Sequence, residues 1–538
     1  PKLAPQREPI PQRAPGRRAP PPPRQPAPGD AAEAAAAWRS QRRARRGGRA
    51  VVAASAKVWI AGRSWMSDLL RKHIGSRREF PPWKNVKFRC SFHNTVYDVL
   101  KARGFKESDS EQDWDVFWCD KEWIHEVFDH IHLQPHQRVN HFRNHYELTR
   151  KDLLVKNIKK AERQARRDGN LEEAASYYAC SPTTFVLPQE YSMFVEEFKK
   201  QQSAGAIWIM KPVGKSQGKG IFLFDKLSQI SGWRQKPEWM RRDEDAGKRG
   251  GGDKDEDEKG QAEPYVVQRY ISNPLLIGGK KFDLRLYVLV TSYAPLSVWM
   301  YRSGFARFSH ARFSMADLSD AQVHLTNVAV QKHNEHYDEK RGGKWDLHNL
   351  KLHLMSLEDP EKVNELFYGI QDIVLYSLLS VQKAMIQDKH CFELYGYDVM
   401  IDSDLRPLLI EVNASPSLSA NTPTDYDMKF ALLDDTLTIL DFEKYLVGTE
   451  TQVGGFDLLY RNGARLGPPP RASFKSYLGC HNDREQQLRR MAIAYGAEQE
   501  RRRPGAQPPP PAPPPPGALR RERSGGAQGA ARRANTGR

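Results

Sequence analysis

Two apolar runs around a polar break constrain this chain more than any other feature. Tyr395-Gly396-Tyr397-Asp398-Val399-Met400-Ile401 precedes Asp402-Ser403-Asp404-Leu405-Arg406, and Pro407-Leu408-Leu409-Ile410-Glu411-Val412-Asn413 follows. Strand-forming runs on either side of turn residues predict an antiparallel hairpin. Side chains alternate along a strand, so Glu411 and Asn413 share one face of the second strand. If Ile401 pairs with Leu408, Asp398 falls opposite Glu411, and two carboxylates and an amide converge. Two carboxylates and a carbonyl oxygen suit a hard divalent cation such as magnesium. The alternative is a solvated hairpin face carrying ordinary surface acids.

The chain has 538 residues, enough for two to four domains. Its formal net charge is +17. Residues 1–50 hold 12 Lys/Arg against 3 Asp/Glu and residues 501–538 hold 9 against 1, so the two ends carry the whole excess. Both ends are rich in Pro and Arg, a composition expected to stay disordered. A nucleic-acid enzyme carries its basic surface on the folded part, so nucleic acid is not expected as a partner. Five scattered cysteines without metal-ligand spacing point to a reducing, cytoplasmic compartment. No apolar run approaches the roughly 18 residues of a membrane span, and no apolar signal core opens the chain. The chain does not begin with Met, so its true start is expected upstream.

In order, residues 1–75 form a disordered Pro/Arg-rich extension. Residues 80–170 make a small α/β subdomain with strands near 86–90 and 114–118 and a helix at 95–103. His141 and His145 stand four residues apart, either a helical metal pair or structural histidines. From Arg150 to Arg167, eight Lys/Arg face only Asp152 and Glu162, which gives a solvated helix face or a surface for an acidic partner. A central subdomain spans 171–275. In it the strand Ile207-Trp208-Ile209-Met210-Lys211-Pro212 leads through Val213-Gly214-Lys215-Ser216-Gln217-Gly218-Lys219-Gly220 to Ile221-Phe222-Leu223-Phe224. A glycine loop between strands can lay its N–H groups over phosphates, or be an ordinary turn. The glycine spacing and the following strand exclude a Walker loop. Residues 234–263, nearly without apolar side chains, are expected to be a disordered insertion.

The last folded part is expected over 276–450. Leu284, Leu286, Val288 and Val290 share one face of a strand, leaving Asp283 and Arg285 on the other. Val363, Leu366, Phe367, Ile370, Val374, Leu378, Val381 and Met385 keep helical spacing, and that helix is expected to pack on the sheet carrying the hairpin. Residues 451–538 are expected to be a mostly disordered tail, with a short helix near 483–495.

Lys211-Pro212, Gln217-Gly218-Lys219-Gly220, Gln268-Arg269-Tyr270-Ile271, Lys281-Phe282-Asp283-Leu284-Arg285, His324-Leu325-Thr326-Asn327 and Glu411-Val412-Asn413-Ala414-Ser415-Pro416 follow one another in this order. Together they resemble the signature segments of the tubulin tyrosine ligase-like family, within the ATP-grasp superfamily. The segments from His141 to Lys151 and from Phe305 to Ser309 resemble its polyglutamylase branch. The resemblance covers roughly residues 85–450.

The family implies an α/β ATP-grasp fold with N-terminal, central and C-terminal subdomains. It also implies an ATP- and magnesium-dependent ligase that joins free L-glutamate to glutamate side chains of acidic tubulin tails through an acyl phosphate. ATP would be held by Lys211, Gln217, Gly218, Lys219, Gln268, Arg269, Tyr270, Ile271, Lys281, Phe282, Asp283, Thr326 and Asn327. Lys211, Arg285 and Glu411 would serve catalysis, and Asp398, Glu411 and Asn413 the metal. Arg307 and Lys344, assisted by Thr326, would bind glutamate. Lys156, Lys159, Lys160 and Arg163, with Gln217 nearer the reaction centre, would dock tubulin. The family further implies the cytoskeleton, with cilium, flagellum and basal body, and leaves room for accessory subunits. Competing readings are a glycine or tyrosine ligase, or a microtubule-binding scaffold that has lost catalysis.

Overall fold

The computed structural model describes residues 86–234, 264–332, 343–420 and 422–501. The extension at 1–75, residues 235–263 of the expected insertion and the tail beyond 501 lie outside the described residues.

A small parallel sheet opens the described chain. It contains β1 (Lys87–Cys90), β2 (Lys106–Glu107), β3 (Val116–Trp118) and β4 (Arg138–Val139), in the order β2-β1-β3-β4. Helix α1 (Thr95–Ala102) starts where the Asn94 side chain accepts from the Val96 N–H, satisfying one of the orphan donors of a helix start. Basic helix α2 (Lys151–Arg167) follows, with Leu154, Val155, Ile158 and Ala165 buried and Lys156, Lys160 and Arg163 exposed.

A second, antiparallel sheet holds β5 (Thr184–Leu187), β6 (Trp208–Pro212), β7 (Phe222–Phe224) and β8 (Tyr265–Arg269), in the order β5-β8-β6-β7. The expected glycine loop is the β6–β7 connection. In it Gln217 and Gly218 take φ of +63° and +81°, and a Cβ on Gly218 would meet Val330 Cγ2 at 2.8 Å. Glycine is required there on both counts.

The largest sheet is built on β10 (Lys280–Tyr293), with short β9 (Leu276–Ile277) pairing its start. One edge of β10 carries β14 (Glu393–Ile401), which pairs in turn with β15 (Pro407–Asn413). The other edge carries β12 (Phe305–Phe308) along its first half and β11 (Leu296–Tyr301) along its second. β13 (Lys344–Asp346) extends β12. Leu284, Leu286, Val288 and Val290 enter one core with Val363, Phe367, Ile370 and Val374 of helix α3 (Pro360–Gln382). The helix expected from periodicity therefore does pack on the sheet of the hairpin. Asp359 caps α3 and Pro360 opens it, each at its preferred position. Tyr287 and Leu289 enter a second core on the opposite face, with Leu432, Leu433 and Leu437 of helix α4 (Pro423–Leu440). Asp283 and Arg285 share that second face, so it changes from charged to apolar within one strand.

The tail expected from residue 451 onward is ordered through Arg501. Strand β16 (Gln452–Val453) pairs with β17 (Phe456–Arg461), which pairs with β11 and turns back into β18 (Ala464–Arg465). Helix α5 (Arg484–Arg501) buries Leu488, Met491, Ala492 and Tyr495 in the second core. The turn Asn462-Gly463, with φ of +52° and +83°, is the sequence signal that marks this hairpin. The surrounding Pro and Arg content hides it.

The two spaced histidines are structural. His141 Nδ1 lies 2.9 Å from Glu393 Oε1, and the Phe142 N–H donates to Glu393 Oε2 at 3.1 Å. Beside them Val139 N–H donates to His390 O and Phe392 N–H to Val139 O, so β4 is stitched to the start of β14. His141 precedes the helical turn Tyr146–Thr149, so the pair never lies on one helix. Burial pushes His141 down to about 3 and His145 to about 4, leaving both neutral, and pushes Glu393 up to about 7.

Candidate active site

A cleft open to solvent lies between the sheet of β5 to β8 and the charged end of β10. From β6 comes Lys211, whose Nζ donates to Gln268 Oε1 of β8 at 2.7 Å. Gln268 is fixed in turn, its Nε2 donating to Thr184 Oγ1 at 2.9 Å. From β10 comes Lys281, whose Nζ donates to the Tyr270 hydroxyl and to His324 O, both at 2.9 Å. His324 Nε2 faces the Asp317 carbonyl at 2.7 Å and Nδ1 faces the Tyr270 hydroxyl at 2.9 Å. A carbonyl only accepts, so Nε2 carries the proton and Nδ1 accepts from Tyr270. Burial pushes Lys211 down to about 8 and Lys281 to about 7. Among the described residues neither buried amine has a carboxylate within 4.0 Å, though Glu411 acts on Lys211 and Asp283 on Lys281 from farther off, so both can receive anionic oxygens.

Facing them is the hairpin. Asp398 stands opposite Glu411 in the register, and Gly396 opposite Asn413. The route to this register differs from the expected one: Ile401 pairs with Pro407, one residue out of step with Leu408. A bulge next to Asp398 restores the alignment, since Val399 pairs with Leu409 and Ile410 is the extra residue. The turn itself is held by Asp402 Oδ1, which accepts from the N–H groups of Asp404 and Arg406 at 2.9 Å each. Asn413 Nδ2 donates to Gly396 O at 3.3 Å and sits 3.5 Å from Glu411 Oε1. The lone side chain of Pro416 covers Gly396, where a Cβ would come within 2.8 Å of it.

A lattice of charges extends sideways from Asp398. Arg285 Nε and Nη2 donate to its two oxygens at 2.6 and 3.0 Å, and Arg307 Nη2 reaches Oδ2 at 2.8 Å. Arg307 Nε also donates to Asp283 Oδ1 at 2.8 Å, and Nη2 to Oδ2 at 2.5 Å. Burial alone would raise the Asp398 carboxyl, but Arg285 and Arg307 outweigh it and hold it at about 2. Lys344 is the register partner of Arg307. Its Nζ contacts Asp425 Oδ2 at 3.0 Å, a carboxylate shared with Lys429 at 3.1 Å.

These donors can be tested against a hard cation. A carboxylate offers about four lone-pair sites. Asp398 Oδ2 takes two guanidinium N–H groups and Oδ1 one, which leaves a single site on Oδ1. Among the described residues the one cation within 4.0 Å of Glu411 is Lys151, with Nζ at 3.6 Å, and Asn413 donates through nitrogen, leaving its carbonyl oxygen. One oxygen from each residue fits a cation that keeps several waters. Among the described residues there is no cluster of three or more His, Cys, Asp or Glu side chains able to hold a metal. The fit therefore depends on the amide as third ligand.

The structure brings most of the expected site residues together. Lys211, Gln217, Gly218, Gln268, Arg269, Tyr270, Ile271, Lys281, Asp283, Thr326, Asn327, Asp398 and Glu411 all line the cleft. Phe282 does not, because strand alternation turns it into the core against Phe308. Lys219 is exposed on the loop, and Lys215 lines the cleft instead. Gln268 reaches the cleft as a side chain that orients Lys211. Lys159 turns from the exposed face of α2 to Glu190, 2.8 Å away. Besides Lys215, two further residues of the cleft were not anticipated. Lys151, the first residue of α2, reaches Glu411, and His324 orders the Tyr270 hydroxyl. Both lie in the segments quoted above, but only tertiary packing brings them to the cleft.

Residues 130–449 match the Tubulin-tyrosine ligase family. "Probable tubulin polyglutamylase TTLL9" of Rattus norvegicus is 48% identical over 429 residues, covering 76% of this chain and 92% of the relative. "Probable tubulin polyglutamylase ttll-9" of Caenorhabditis elegans is 46% identical over 380 residues, covering 70% and 86%. "Probable alpha-tubulin polyglutamylase Ttll1" of Tetrahymena thermophila is 40% identical over 402 residues, covering 70% and 93%. The matched span contains the cleft, the hairpin and the charge lattice between them, and the chain belongs to the tubulin-tyrosine ligase family.

Proposed function

We propose that the chain is an ATP-dependent tubulin polyglutamylase, which joins free L-glutamate to glutamate side chains of acidic tubulin tails. The observation that supports this reading is the lattice of Arg285, Arg307, Asp283 and Asp398 on the large sheet, with Lys211 and Lys281 in the cleft on one side and Lys344 beside Arg307 on the other. We read it as a phosphate site next to a site for the added amino acid. ATP supplies the phosphoryl group that makes the acceptor carboxylate an acyl phosphate; the amine of free glutamate then displaces phosphate, leaving an isopeptide bond, ADP and phosphate. A carboxylate is a poor electrophile until one oxygen becomes a good leaving group, which is why the reaction consumes ATP.

In this reading Lys211 and Lys281 bind phosphate oxygens, and Gln268, Tyr270 and His324 keep the two ammonium groups aimed. Asp398, Glu411 and Asn413 would hold magnesium, whose charge would offset that of the phosphates. Arg307 and Lys344 receive the carboxylates of the incoming glutamate. Two cations favour glutamate over glycine or tyrosine as the added amino acid. The exposed Lys156, Lys160 and Arg163 attract the acidic tail. The proposed place of action is the cytoskeleton, in particular cilium, flagellum and basal body.

Incubating the purified chain with tubulin, ATP and one amino acid at a time, then weighing the tails by mass spectrometry, tests the proposal. Mass increments of glutamate, absent with glycine or tyrosine, are expected. Increments from glycine or tyrosine instead would replace the substrate assignment, and none at all would favour the scaffold.

A further inference from the structure

A second open-mouthed cavity of about 260 Å³ lies where β4, the second half of β10, β11, β17 and the segment after α4 meet. Thr291 of β10 lines it. Thr291 is eight residues from Asp283, about 27 Å along an extended strand, so this cavity is separate from the cleft. Its wall is apolar, with Trp299, Phe392, Ile439, Leu440 and Leu446.

Three cations from three different segments surround that wall: Arg138, Lys389 and Arg461. No ion pair within 4.0 Å joins any of them to a carboxylate of the described residues. Arg138 donates from Nη1 to the carbonyls of Pro135 and Gln137, at 2.8 and 2.9 Å. Burial lowers its affinity for a proton, and the nearby Asp388 carboxylate and Cys391 offset only part of that, leaving a cost that a bound anion would reduce. Arg461 lies over the Trp299 ring at 5.5 Å, which fixes its plane. The one acid among the lining residues, Glu450, is held by the N–H groups of Val447 and Gly448, to which its two oxygens are hydrogen-bonded at 2.7 and 2.8 Å, and against it stand three cations. Elsewhere in this protein buried arginines meet carboxylates, as Arg302 meets Asp457 and Arg103 meets Asp434. The half-buried Arg138 and Arg461 and the exposed Lys389 make no such contact among the described residues, although Asp388 acts on Arg138 from farther off.

We propose that this cavity is a docking site for an acidic peptide, seated by carboxylates on Arg138, Lys389 and Arg461 with one apolar side chain against the wall. Charge complementarity selects an anionic partner, and the apolar wall selects a peptide over inorganic phosphate. The inference stands apart from the catalytic reading, because the cavity shares no residue with the cleft.

The probe is a dye-labelled peptide of ten glutamates with one leucine at its centre, bound to the full chain and followed by fluorescence anisotropy at low salt. Arg461→Glu is expected to weaken one class of peptide site at least tenfold, with ATP binding unchanged and no displacement of that class by saturating ATP. The double variant Arg138→Gln, Lys389→Glu gives the same loss without touching the Trp299 stack, and thermal unfolding identifies any variant that fails to fold. Unchanged peptide affinity in both folded variants overturns the proposal. So does displacement of the affected class by ATP, or by phosphate at the same ionic strength. Glutamylation is scored separately, so loss of peptide binding with activity retained separates this site from the catalytic one.

Discussion

Asp398 and Glu411 stand directly across the hairpin ladder although the turn joining their strands is one residue out of step with that pairing. The bulge at Ile410 reconciles the two. It follows that the carboxylates depend on the bulge as much as on the turn. Deleting Ile410 should close the bulge into a regular ladder that still sets Glu411 opposite Asp398. ATP hydrolysis and glutamylation should survive at least in part while the circular dichroism spectrum keeps its strand signal. Complete loss of activity in the folded variant would show that the pairing with Asp398 is not what places Glu411.

Lys344 and Arg307 offer unequal tests of the glutamate site. Removing Arg307 leaves Asp283 and Asp398 buried with a lost partner, which costs about 3–5 kcal/mol and confounds kinetics with unfolding. Lys344 shares Asp425 with Lys429, so Lys344→Ala should leave that carboxylate paired and the fold intact. The KM for free glutamate should rise about tenfold, the scale of one hydrogen bond to a charged group, with the KM for ATP unchanged. Equal glutamate saturation in the variant would remove Lys344 from the site.

Proton uptake should accompany ATP binding. Lys281 and Lys211 titrate at about 7 and about 8 because they are buried. At pH 8 Lys281 is therefore mostly neutral and Lys211 about half charged, and phosphate contact favours the charged form of each. Calorimetry in buffers of different ionisation enthalpy should show uptake at pH 8 that fades towards pH 6, and ATP affinity should fall above pH 8. The same depressed values mean that the folded state binds fewer protons than the unfolded state between about pH 7 and 10, so this pair makes the fold more stable as pH rises through that window. Buffer-independent binding heats at pH 8 would contradict the placement of both lysines against phosphate.

Glu393 joins the small parallel sheet to β14 through His141 and the Phe142 N–H. Glu393→Leu should lower stability by about 2–4 kcal/mol, since it leaves two buried groups unpaired. Glu393→Gln should cost less, because an amide can still accept from Phe142. Denaturant midpoints decide between them, and equal midpoints would show that the link is not structural.

The exposed face of α2 should act through charge. Lys156→Glu with Lys160→Glu should weaken tubulin binding, most at low salt, because exposed charges beyond a Debye length are screened. Lys159→Glu should act chiefly by repelling Glu190, and so should show in stability. Binding that ignores both salt and charge reversal would move the docking surface elsewhere.

The hairpin, the β10 alternation and the α3 periodicity were legible because each is a local pattern with one buried face. The match of Asp398 to Glu411 was legible only in outcome: the assumed pairing of Ile401 with Leu408 ignored the bulge that makes it true. The ordered segment 451–501 was missed because β17 is six residues long and gains its stability from β11, some 160 positions earlier in the chain. Phe282 was misplaced by reading a contiguous motif as a contiguous surface, although strand alternation sends it to the core. Lys151 and His324 carried no local sign of their contacts, since each reaches the cleft from a segment remote in sequence. The ion pairs of Arg307 with Asp283 and Asp398 were equally invisible, because they depend on β12 lying beside β10.

The most direct test compares the chain with its Glu411→Gln variant on tubulin, with ATP, magnesium and isotopically labelled glutamate, read by mass spectrometry of the tails. The account predicts labelled glutamate in isopeptide linkage with the wild-type chain and none above background with the variant, at unchanged thermal stability. Equal incorporation by both chains would contradict the assignment of the hairpin as the catalytic end of the ATP site.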